Sequence, residues 1–183
     1  SMAISMRHVS SKEVHCTVGG TEWPHFAKVL KTCIIESKKI DDEGYMISNS
    51  PDSSIEAFDI GSNENVKFIP ENIAEKFPKL IAVEIISCHV KFIDKRVFKN
   101  LFELIQLNLP NNIIDTIDPQ AFKDLKKLEV LDLLNNQIEH LDTKTFSRLT
   151  KLKILLLHDN KIKILRNAHF KTLVSLSLLN LNN

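Results

Sequence analysis

The chain has 183 residues, 43% of them hydrophobic, enough for one domain with a continuous core. Its 24 basic and 23 acidic residues leave a net charge of +1, so no global field draws nucleic acid or an anionic membrane. Only four glycines occur, which leaves no phosphate-cradling loop, and no apolar run reaches the roughly 18 to 20 residues that span a bilayer.

In chain order, Ser1-Met2 ahead of Ala3 reads as an expression scar, compatible with removal of a secretion signal upstream. Residues 1–54 form an N-terminal segment that holds two of the three cysteines; VHCTV around Cys16 and KTCIIES around Cys33 both read as short strands. Residues 55–183 repeat. A loose unit starts near Ile55, with Ile55, Phe58, Ile60 and Asn63 in its first, fourth, sixth and ninth places. Units starting at Leu80, Leu104, Leu128 and Leu152 then align without a gap at a period of 24, as in LEVLDLLNNQIEHLDTKTFSRLTK from Leu128. A sixth, incomplete unit, LSLLNLNN, starts at Leu176. An array of amphipathic helices would need spacings of three and four throughout and would not place an Asn at a fixed position in each unit.

These residues follow L-x-x-L-x-L-x-x-N/C-x-L, and the chain resembles the leucine-rich repeat family, in its 24-residue extracellular type, over about two thirds of its length. The resemblance implies an α/β, β-dominated solenoid, a right-handed superhelix with a parallel concave sheet, a small disulfide-bridged N-terminal β cap and little regular helix. Alternation then turns Leu131 and Leu133 inward and Asp132 outward. The ninth place carries Asn63, Cys88, Asn112, Asn136 and Asn160, a ladder placed to bond backbone groups that leave the sheet. Phe98, Phe122, Phe146 and Phe170 form a second column where the convex segments return.

Open solenoids must cover the apolar end of their first unit. Extracellular members of the family commonly use a cysteine-bridged cap, which implies a Cys16–Cys33 bridge tying a hairpin onto the first repeat, contributing about 3 kcal/mol. The alternative is a cytosolic cap with both thiols reduced. Cys88, in an inward slot, should stay unpaired. The order of a cysteine, a Trp, a second cysteine, then SPDSSIEAFDI and VKFIPENIAEKFPKL is similar to secreted leucine-rich repeat proteins of insects, which implies recognition or innate immunity.

No catalytic set assembles. His15 beside Cys16 and His89 beside Cys88 are the only such neighbours, and neither has a third group to orient it. No metal site or cofactor is expected, since His140, His158 and His169 fall at different places in the repeat and should scatter. Binding remains, and the third, fifth and seventh places of each unit face outward on the concave sheet. Ile86, Val130, Leu134, Ile154, Leu156 and Leu178, with Asn108, Asp132 and His158 among them, make an apolar stripe rimmed by polar groups, the mark of a protein contact. The leading expectation is thus a secreted, non-enzymatic module holding a protein partner of unknown identity, with no nucleic acid and no membrane span. The alternatives are a homodimer paired through the open edge at Leu176 to Leu181, an intracellular scaffold, or a fragment of a receptor ectodomain.

Overall fold

A computed structural model of the chain describes residues 13–14, 16–26, 28–35, 40, 46–47 and 54–182. Ser1, Met2 and His15 lie outside the described residues. The N-terminal segment comprises β1 (Glu13–Val14), β2 (Thr17–Trp23), a 3-10 turn at Pro24–Phe26, β3 (Lys28–Ile34) and β4 (Met46–Ile47). The repeats follow as β5 (Ala57–Gly61), α1 (Ile73–Lys76), β6 (Ala82–Ile86), β7 (Phe92–Ile93), β8 (Gln106–Asn108), β9 (Thr116–Ile117), β10 (Val130–Asp132), β11 (Ile154–Leu156), α2 (Asn167–Phe170) and β12 (Leu178–Asn180).

A strand of three to five residues cannot satisfy its own backbone, so each unit pairs with the next. The result is one eight-stranded sheet in the order β12-β11-β10-β8-β6-β5-β3-β2, parallel throughout except for the antiparallel β2–β3 hairpin. Register follows the repeat without a slip: Leu107 pairs with Leu131, Leu131 with Leu155, and Leu155 with Leu179. The chain is a β-solenoid of about six turns with little helix. Its core is the set of inward leucines, with Leu107, Leu109, Leu131, Leu133 and Leu155 fully buried.

Two features turn each coil. The eighth place is left-handed in every complete unit, at Ser62 (φ 39°), Ser87 (52°), Asn111 (56°), Asn135 (49°) and Asp159 (56°). Short polar side chains tolerate that region best among residues with a Cβ. Asp94, Asp118 and Asp142 then open the convex returns, each accepting the backbone N–H two residues on, from Arg96, Gln120 and Lys144, at 2.7 to 2.8 Å. Behind these turns the phenyl rings stack, Phe98 on Phe122 at 6.2 Å and Phe122 on Phe146 at 6.4 Å between centroids. Phe170, in the last complete return, is half-buried.

The disulfide joins Cys16 to Cys33, with Cα atoms 5.4 Å apart, and closes the β2–β3 hairpin onto β5. Asn72, buried at the start of α1, accepts the Ile47 N–H at 2.8 Å and donates to the Ile47 carbonyl at 3.1 Å, tying β4 to the first repeat. Cys88 is free and buried.

Candidate binding face

The concave face is ruled by three rows of outward side chains, one from each outward place of the repeat. The fifth-place row runs Asp59, Glu84, Asn108, Asp132, Leu156 and Asn180, kept in line by the strand register. Neighbouring strands lie about 4.8 Å apart, so Asp59 and Glu84 set two carboxylates side by side. Burial, with the charges of Asp59 and Asp132 adding to it, pushes the Glu84 carboxyl up to about 7. Burial also raises Asp59 and Asp132; at Asp132 it is opposed by the Leu134 N–H, which donates to Oδ1 at 2.8 Å, and by His158 nearby. The seventh-place row holds Ile86, Leu134 and His158, all half-buried.

The third-place row is where sequence reasoning and structure part. The tip of the β2–β3 hairpin folds over it: Trp23 and Leu30 form a second buried cluster with Ala57 and Ala82, against which Phe26 and Ile81 pack. His25 reaches Glu129 of the fourth unit, 3.5 Å away. Along the same row Gln106 keeps 7% and Val130 8% of its surface. The row opens only beyond His25, half-buried at Ile154 and 49% exposed at Leu178. Val130 is therefore a covered residue rather than a free docking residue. The available signal was WPHF, an aromatic cluster between two strands, which spans the hairpin tip.

The ninth-place residues sit under the sheet's C-terminal edge. Asn136 accepts the Ile114 N–H at 3.0 Å and donates to the carbonyls of Leu109, Leu133 and Leu134 at 3.0 to 3.1 Å, linking its own unit to the one before. Asn112 and Asn160 repeat the pattern. Cys88 keeps a weaker version, its Sγ 3.4 Å from the Ile86 carbonyl and 3.9 Å from that of Ile60. Burial raises its thiol above the usual range. Asn63 is half-exposed and accepts the Asn65 N–H at 3.1 Å.

The histidines do not all scatter. His140 and His169 line one hollow of about 280 Å³ with Asp142 and Arg166, because consecutive convex returns stack. Among the described residues no group of three His, Cys, Asp or Glu side chains is placed to hold a metal ion. His169 is buried and fully engaged: in the Nε2–H tautomer it donates to the Leu141 carbonyl at 3.0 Å while Nδ1 accepts the Arg166 N–H at 3.0 Å. It serves the turn that Asp94, Asp118 and Asp142 serve elsewhere.

Residues 78–138 and 126–183 match the family model of the leucine rich repeat, together more than half of the chain. The chain belongs to the leucine-rich repeat family. Among solved structures, this leucine-rich repeat chain is similar to TLR13 in the crystal structure of the TLR13–ssRNA13 complex, with 29% identity, a TM-score of 0.61 and 66% of its own length covered. It spans 17% of the length of that TLR13 chain. No curated protein matches it. Among the described residues no helix is long and apolar enough to cross a membrane.

Proposed function

We propose that this leucine-rich repeat chain is a secreted, non-enzymatic recognition module that holds a protein partner against the uncovered part of its concave sheet, in immunity or cell-surface recognition. The observation that carries the reading is the band Ile86, Leu134, Ile154, Leu156 and Leu178, part-exposed on a sheet whose backbone is already fixed by its neighbours. Such a surface loses little entropy on docking, so a few buried apolar anchors supply the affinity. Asn108, Asp132 and His158 provide the polar contacts around it. In this reading residues 1–54 are the cap and residues 55–183 the recognition surface. The Cys16–Cys33 disulfide supports an oxidising, extracellular setting. TLR13 was crystallised with ssRNA, but a row holding Asp59, Glu84 and Asp132 opposes a phosphate backbone, which favours a protein ligand here.

The test is affinity capture from extracellular fluid with the intact protein and a Leu134→Asp, Leu156→Asp double variant. The partner is expected with the first and absent with the second. Equal capture by a still-folded double variant overturns the concave site.

A further inference from the structure

At the cap end of the concave face the seventh place holds Gly61, where the later units hold Ile86, Pro110, Leu134 and His158. A cavity of about 540 Å³ opens there, lined by Ile34, Ile35, Asp59, Gly61, Asn63 and Asn65. The missing side chain makes the space. A Cβ built on Gly61 meets nothing nearer than the Asp59 Oδ1, at 3.8 Å.

We propose that this cavity receives a lysine side chain of the protein partner, its aliphatic stem along Ile34 and its ammonium between the carboxylates of Asp59 and Glu84. The assignment rests on the concave-docking reading above and names the chemistry of one contact within it. Asp59 lines the cavity and Glu84 stands beside it on the next strand, the two being register partners. Among the described residues neither carboxylate has an ion pair. Two half-buried carboxylates side by side repel, and an ammonium between them replaces that repulsion with attraction. Burial raises the proton affinity of both groups, and at Glu84 the charge of Asp59 adds to it. A phosphate or carboxylate ligand is opposed by the same charges, and the two carboxylates fall short of the ligand set a divalent ion needs. A compact ammonium on a flexible stem can turn its three donors to two separate carboxylates in a mostly polar cavity, whereas a planar guanidinium seeks one bidentate carboxylate.

The experiment uses a small probe, so that it needs no partner. Nα-acetyl-lysine methylamide is titrated into isotope-labelled protein while the backbone amides of Gly61, Ser62 and Glu84 are followed by NMR, with Nα-acetyl-norleucine methylamide as the uncharged control. Saturable shifts are expected with the lysine derivative, at least roughly tenfold tighter than with the norleucine derivative. Asp59→Asn, close in shape, should weaken binding about tenfold, and Gly61→Leu, which fills the cavity, should abolish it. Absence of shifts with the lysine derivative, equal affinity for the two probes, or unchanged binding in Asp59→Asn overturns the assignment. Failure here leaves the Leu134 and Leu156 capture test untouched, and failure of that test leaves this one intact.

Discussion

Asn136 makes four hydrogen bonds with one side chain, and each ends on a backbone group that the sheet has just released. Asn136→Ala should therefore cost about 2 to 4 kcal/mol, because it strands a buried N–H and the carbonyls around it rather than removing one contact. Urea unfolding of the variant checks this; a loss below about 0.5 kcal/mol would mean that water replaces the amide freely. This residue type was readable at its position, since an amide carries two donor hydrogens and a separate acceptor oxygen on one short side chain, where a hydroxyl has a single donor. The left-handed eighth place falls on Ser, Asn or Asp in every complete unit, and the Asp that opens three of the returns recurs at a period of 24, so both turns leave a signal in the sequence. His169 was not readable. It departs from Val97, Ala121 and Thr145 at the equivalent places, and its role follows from Arg166 standing where the turn-forming Asp should be.

Among the elements, the β2–β3 hairpin has two duties. It seals the solenoid's first unit, with β3 pairing β5, and its tip lies over the third-place row as far as Glu129. Replacing both Cys16 and Cys33 with Ser should lower stability by about 3 kcal/mol, as expected for a closed loop of this size. Because the tip depends on the hairpin, Trp23 fluorescence should shift to the red in the same variant under native conditions; an unchanged spectrum would show that packing on Ala57 and Ala82 holds the tip without the bridge. By contrast, the Lys127–Glu103 and Lys153–Glu129 pairs between adjacent repeats are solvent-exposed and contribute little each. The strands were legible from short apolar runs around two cysteines and the bridge from the family resemblance, whereas WPHF marks an aromatic tip without saying which surface it covers.

For the molecule as a whole, the line of carboxylates sets a pH dependence opposite to that of ordinary ion pairs. Glu84 moves from an ordinary 4.5 to about 7 on folding, so the folded state holds its proton more tightly than the unfolded chain. Stability from this group is complete below the unfolded value and declines as pH rises toward about 7. Asp59 and Asp132, also raised, act in the same direction, while Glu129 and Asp94, lowered by Lys153 and Arg96, add stability that is lost only as pH falls into the acid range. Glu84→Gln should be more stable than the parent at about pH 8 by on the order of 1 kcal/mol, after allowance for solvent screening of a half-exposed group, and indistinguishable from it at about pH 4. Thermal unfolding at the two pH values decides the matter, and an equal difference at both would place the effect in packing instead.

The repeat period by itself determined the strand positions, their parallel register and the inward leucines. A unit that cannot satisfy its own backbone or bury its own apolar face has only its neighbours to turn to, and a fixed spacing leaves one way to stack. Which outward residues remain free was decided only by tertiary structure. Val130 and Leu178 share one place in the repeat, yet one is buried and the other open; Trp23, from a distant part of the chain, packs on Ala57 and Ala82 of the same row, and His25 reaches as far as Glu129. The cavity at Gly61 has the same origin: the glycine is visible in the sequence, but the space it leaves exists only where β3 and β5 meet.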